Sequence, residues 1–220
     1  MNKINYDNFL FDFRSIIFDW FDSDGILPPG GLERLHFHKS YDLFKRENDQ
    51  STVWHKCFYG KIREDDTFDR LYVDFLHQHI KPRFDEEIVY QKIPTFRVHL
   101  PGNISVGEFH KDRHYRNEEW AERVQELNYF MPLTKAYGTN TIWAETEEDL
   151  GDFQEIRGNY GECVEWDATK LTHGNKQNIT SVTRVSFDFR VIPKSRYIES
   201  NHLTINTKIP FGIGGYYGVL

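Results

Sequence analysis

Ser181 to Val191 reads SVTRVSFDFRV, a run whose side chains alternate without a break. In a strand successive side chains point to opposite faces, so Arg184, Ser186, Asp188 and Arg190 share one face while Val185, Phe187, Phe189 and Val191 share the other. A strand with one apolar and one charged face belongs to an antiparallel sheet that packs a core on one side and lines a polar pocket on the other. An inward face carrying arginines suits a pocket that holds an anion.

Working outward, the same period of two recurs at Thr95 to Leu100, between Pro94 and Pro101, and further strands are expected at Ser105 to His110, Leu127 to Leu133, Thr139 to Glu145 and Cys163 to Trp166. Before them the period changes. Phe68, Leu71, Tyr72, Phe75, Leu76 and Ile80 recur at three- and four-residue spacing, which predicts a helix over Asp66 to Ile80 that Pro82 stops. Asn8 to Trp20 is aromatic-rich and fits either a helix or a strand, ended by the PPGG turn at 28–31. Short strands after helices predict a mainly β chain, a double-stranded β-helix of the jelly-roll, cupin-like type with helices supporting one sheet. A length of 220 residues fits one domain: 1–87 as helix-rich support, 88–195 as the jelly-roll core and 196–220 as a C-terminal tail.

Composition bounds the function. Eighteen Phe, 12 Tyr and five Trp favour a β-rich interior and an aromatic-walled pocket. A net charge of −7 without a basic run argues against gripping nucleic acid, which needs clustered Lys and Arg. Two cysteines, Cys57 and Cys163, make no disulfide framework; with no apolar leader or spanning segment, a soluble cytoplasmic protein acting on a small molecule is expected.

The chemistry concentrates in FHKD, 109–112, and LTHGN, 171–175. On a strand His110 and Asp112 project to one side, and His173 arrives from a distant strand to complete two imidazoles and one carboxylate. That is the ligand set of a non-haem Fe(II) facial triad, which keeps three coordination positions open. Arg184 follows His173 by eleven positions, placed to meet a dicarboxylate. Rival pairs are weaker. His36 and His38 have no matching carboxylate, His77 and His79 lie two apart on a helix and diverge, and His114 is read as exposed or substrate-facing.

The stretch GNYGECVEWDATKLTHGN, 158–175, resembles the Gly-x-x-x-x-Phe-Asp-x-x-x-x-His-Gly segment of Fe(II)- and 2-oxoglutarate-dependent dioxygenases, with Trp166 in place of phenylalanine. Arg184-Val185-Ser186 resembles their Arg-x-Ser motif. LPGNISVGEFHKD, ELNYFMPLT, GTNTIW and TRVSFDFRVIP resemble the subgroup associated with streptomycin biosynthesis. The resemblance spans about residues 94 to 195. It implies Fe(II) held by His110, Asp112 and His173, with O2 and 2-oxoglutarate as cosubstrates, the latter gripped by Arg184 and Ser186 and touched by Asn128.

Trp143, Arg97 and His99 are candidate substrate contacts, each with a plain packing or surface alternative, and Asn175 and Asn178 are turn-capping candidates. Arg190 lies six positions from Arg184, about 20 Å at a rise of about 3.3 Å per residue, so it is expected to pair with an acidic neighbour and not to share the anion. NEEWAERVQE, 117–126, reads as a short helix or lid-like insertion, and IPFGIGGYYGVL, 209–220, as a docking tail or oligomer contact. Two other functions compete: a zinc-dependent hydrolase, against which Arg184-x-Ser186 speaks, and a cupin-like metal-binding module without turnover, against which the intact ligand set speaks. Halogenation is disfavoured because Asp112 occupies the position a halide needs.

Overall fold

The computed structural model describes residues 1–39, 51–105, 108–115, 123–199 and 210–220. Residues 184–191 of the 181–191 stretch lie in the longest strand among the described residues, β9 (Arg184–Pro193), which starts three residues later than the alternation suggests. Along one side β9 pairs with β4 (Leu127–Pro132), from Leu127 opposite Val191 to Pro132 opposite Ser186. Along the other it pairs with β2 (Ile88–Gln91) and β3 (Thr95–His99), with His99 opposite Arg184. Beyond β4 lie β7 (Glu162–Trp166) and β1 (Asn2–Asn5); beyond β2 lies β10 (Tyr217–Val219). The ladders between these strands are all antiparallel. A second sheet of β6 (Gln154–Glu155), β5 (Ile142–Ala144) and β8 (His173–Asn175) completes the double-stranded β-helix.

The two faces of β9 separate as the alternation requires. Phe187 packs its ring 5.3 Å from Phe13 and 5.5 Å from Phe68, centroid to centroid, against helices α1 (Phe13–Ser23) and α3 (Thr67–Phe75). In α1, Phe13, Ile17, Trp20 and Phe21 are buried at helical spacing, and Asp12 caps the start by accepting from the Ser15 N–H. Asn8 to Trp20 is thus a turn leading into a helix. Helix α2 (Val53–Glu64), started by the Thr52 cap, adds Trp54 and Phe58 to the same core.

The sequence-based expectation departs furthest from the structure in three places, each for a local reason. The helix over Asp66 to Ile80 is α-helical only to Phe75; Leu76–Ile80 is a π turn that buries both Leu76 and Ile80 and hands over to a tight turn at Lys81–Arg83, where Pro82 has no N–H to continue the ladder. Ser105 to His110 is not a ladder strand: among its described residues only His110 is bridged, to His173, and Asp112 opens a short 3-10 turn. Thr139 to Glu145 shrinks to β5, because Gly138–Asn140 coils into a 3-10 turn that the Asn140 side chain holds by accepting from the Tyr137 N–H. Most of 117–126 lies outside the described residues. The described end of the C-terminal tail is built into the large sheet, where Gly218 is required because a Cβ there would sit 2.6 Å from the Tyr90 ring. Among the described residues no helix is long and apolar enough to cross a membrane.

Candidate metal centre and its cavity

Two reciprocal backbone bonds bring the first and third candidate ligands together: His110 N–H donates to the His173 carbonyl at 2.9 Å, and His173 N–H returns to His110 at 2.9 Å. Their rings then lie 4.4 Å apart. The Asp112 N–H donates to the Ala168 carbonyl at 2.8 Å, which turns the chain out of the bridge and swings the carboxylate beneath both rings. Asp112 Oδ1 is 3.5 Å from each Nε2. One ligand atom from each of the three lies within 4.8 Å of the others.

The tautomers favour a metal. Nδ1 of His110 faces the Glu108 carbonyl at 2.8 Å and Nδ1 of His173 faces the Leu171 carbonyl at 3.0 Å. Each Nδ1 carries the proton to a carbonyl, which leaves the Nε2 lone pair aimed at Asp112. Burial alone would push the Asp112 carboxyl up; the Arg190 guanidinium beside it holds it well below the usual carboxylate range. An ionised oxygen and two imidazole lone pairs converging on one point form a donor set that suits Fe(II).

The three ligands open on a cavity also lined by Arg97, Asn128, Trp166, Asn175, Arg184 and Arg190. Arg184 is almost wholly buried and is fixed on several sides: Nε donates to the Asn140 carbonyl at 2.7 Å, Nη1 to Ser186 Oγ at 2.7 Å, and Nη2 to Asn175 Oδ1 at 3.3 Å. Its guanidinium packs over Phe130 at 5.7 Å. Three polar atoms of cavity residues, Ser105 Oγ, Asn128 Oδ1 and Trp166 Nε1, are buried without a hydrogen-bond partner among the described residues, a cost that a bound polar ligand would remove.

The other candidates divide. Asn128 and Arg97 line the cavity, Arg97 lying 3.4 Å from Asp188 through Nε. Ser186 does not line it; fully buried, it holds Arg184. His99 is corrected from a substrate contact to an interior residue: it has no exposed surface, and its ring nitrogens face the Asn140 and Asn103 carbonyls at 3.1 and 2.9 Å. Trp143 is likewise outside the cavity lining, its indole N–H donating to the Gly138 carbonyl at 2.9 Å under the Lys176 ammonium. Asn178 caps its turn by accepting from Thr180, whereas Asn175 reaches Arg184.

Sequence reasoning missed Ser105 altogether and read Trp166 only as a phenylalanine replacement. Its ring stands edge-on to His173 at 4.6 Å, and its N–H is the feature a phenylalanine would lack. Glu126, buried beside Arg190, was missed as well.

No protein-family model matches the sequence. Over 172 residues, 78% of this chain and 78% of the relative, it is 37% identical to the streptomycin biosynthesis protein StrG of Streptomyces griseus. Among solved structures it is similar to EctD from S. alaskensis, determined with 2-oxoglutarate and 5-hydroxyectoine, with a TM-score of 0.51 over 97% of this chain and 76% of that one at 12% identity. This second likeness is one of fold. With the ligand set, the Arg-x-Ser pair and the β-helix in place, the chain belongs to the family of the streptomycin biosynthesis protein StrG.

Proposed function

We propose that this protein is an Fe(II)- and 2-oxoglutarate-dependent oxygenase that hydroxylates an unactivated C–H bond of a small polar metabolite or natural-product intermediate. The observation that carries the reading is the convergence of His110 Nε2, Asp112 Oδ1 and His173 Nε2 in the same cavity as the buried guanidinium of Arg184. Fe(II), when bound, supplies a centre at which O2 and 2-oxoglutarate oxidise a substrate C–H, with succinate and CO2 as the co-products. The remaining work belongs to the chain. His110, Asp112 and His173 would hold the ion from one side, the two imidazoles keeping their protons on Nδ1 and donating them to the Glu108 and Leu171 carbonyls.

Arg184 pairs with the distal carboxylate of 2-oxoglutarate; the Asn140 carbonyl and Ser186 fix the guanidinium plane beforehand, so little side-chain freedom is lost on binding. Asn128 Oδ1, Ser105 Oγ and Trp166 Nε1 supply one acceptor, one hydroxyl and one donor to whatever polar group enters. The likeness to a streptomycin biosynthesis protein supports a natural-product intermediate as the substrate; the compartment proposed is the cytoplasm.

The test is succinate release under air with Fe(II), 2-oxoglutarate and ascorbate, screened across aminocyclitols, sugars, free amino acids and carrier-bound intermediates. Substrate-dependent succinate with one oxygen added to the product is expected. A metal-dependent hydrolysis indifferent to 2-oxoglutarate would replace the reading with the zinc hydrolase.

A further inference from the structure

Asp112 uses its two oxygens differently. Oδ1 faces both imidazoles, whereas Oδ2 accepts from Arg190 Nη2 at 2.9 Å. Arg190 is itself held by three groups: Nε lies 3.1 Å from Glu126 Oε1, and Nη1 donates to Gln91 Oε1 at 3.4 Å and to the Tyr216 hydroxyl at 3.3 Å. Behind it, the Tyr217 hydroxyl donates to Glu126 Oε2 at 2.7 Å, and Glu126 is 1% exposed. Gln91 is oriented in turn, its amide donating to the Ile93 carbonyl at 2.7 Å. The chain from Tyr217 through Glu126 and Arg190 to Asp112 therefore runs from the C-terminal strand to the ligand carboxylate.

We propose that Arg190 is the positioning residue of the metal centre: by holding Oδ2, it keeps Asp112 a one-oxygen ligand, and β10 anchors it there through Tyr217 and Glu126. The inference rests on the metal reading above. Its physical basis is a count. A six-coordinate ion bound by two imidazoles and one carboxylate oxygen keeps three positions open, but a carboxylate that turns both oxygens inward keeps only two. A guanidinium on Oδ2 opposes that turn with a charge-assisted bond at fixed geometry, which a lysine, a point charge on a flexible stem, reproduces only in part. The same arrangement explains why an arginine on the polar face of β9 is not a second anion clamp, and why the C-terminal residues belong to the site.

The test is anaerobic titration of the wild type, Arg190→Gln, Arg190→Lys, Tyr217→Phe and His173→Ala with Co(II), reading affinity and the visible d–d bands, with circular dichroism as the check on folding. Loss of a residue that orients a metal ligand typically lowers metal affinity about 10- to 100-fold. Arg190→Gln is expected in that range with altered d–d bands, Arg190→Lys between it and the wild type, and Tyr217→Phe a few-fold weaker. Folded Arg190→Gln with wild-type affinity and bands overturns the proposal. Should that variant not fold, wild-type behaviour in both Arg190→Lys and Tyr217→Phe overturns it. Failure of the metal reading looks different: the wild type then binds no Co(II), or His173→Ala binds it equally well.

Discussion

The Nδ1 bonds of His110 and His173 are the same device used twice, each to a carbonyl two residues earlier, and they make two imidazoles into ready-made ligands. Removing either leaves two donors, too few to hold a labile divalent ion against water. His110→Ala and His173→Ala are each expected to abolish the weak visible charge-transfer band that Fe(II) and 2-oxoglutarate give anaerobically in the wild type; an undiminished band in both variants would refute the ligand assignment. Arg184→Ala acts on the other half of the site. Losing the charged partner of a buried carboxylate costs roughly 3–5 kcal/mol, so the 2-oxoglutarate requirement should rise at least about a hundredfold while Co(II) affinity stays near wild type. Equal losses of both would place Arg184 in the metal shell instead. These residues were legible because HxD, His-Gly and Arg-x-Ser are short patterns whose spacing carries the chemistry. Arg190 was legible only by elimination: its partner Asp112 lies 78 positions away, and neither neighbourhood encodes the other.

At the scale of elements, the site depends on one bridge. β8 is three residues long, and its backbone bridge to the 108–112 segment is the His110–His173 pair alone among the described residues. Gly174 lets this happen, since a Cβ there would meet Phe109 at Cδ2 (2.9 Å), Cγ (3.0 Å) and its backbone Cα (3.1 Å). Phe109 can rotate its ring, but its Cα cannot withdraw without pulling His110 along. Gly174→Ala is therefore expected to weaken Co(II) binding about tenfold or more although every ligand is intact, with the large sheet unperturbed by circular dichroism; unchanged metal affinity would mean the bridge is looser than drawn. The long strand β9 was plain in the sequence because alternation over many residues admits one reading. The short pieces were not. β1 has a single buried side chain among four, β5 is cut short by the capped turn before it, and the segment carrying His110 bends away at Asp112 under a hydrogen bond from its own backbone to Ala168, which no side-chain pattern records.

Across the whole molecule, charge is buried at the cavity, whereas burial opposes charge on two histidines that are not candidate ligands, His55 and His99. His55 in α2 is 1% exposed, its Nδ1 paired with Thr52 Oγ1 at 2.7 Å and its ring 5.7 Å from Phe96. Burial, helped by the charge of Arg97, pushes His55 down to about 3; burial, then Arg184, pushes His99 down to about 4. An unfolded chain titrates these imidazoles near 6.5. Between that value and the folded ones the unfolded state binds more protons, so stability is full above about pH 7 and falls as the pH drops, at about 1.4 kcal/mol per unit for each histidine. By pH 5 the two together remove about 4 kcal/mol, a large part of the 5–15 kcal/mol usual for a domain. The decline starts well above the range in which carboxylates protonate. His55→Asn keeps a polar partner for Thr52 and removes one of the two titrations. Urea midpoints from pH 7.5 to 5 should then fall with a visibly shallower slope in the variant than in the wild type, whatever the variant loses at neutral pH. Because His99, His110 and His173 are common to both proteins, the difference in slope reports His55 alone, and parallel slopes would show that this imidazole is reached by water or protonated in the folded state.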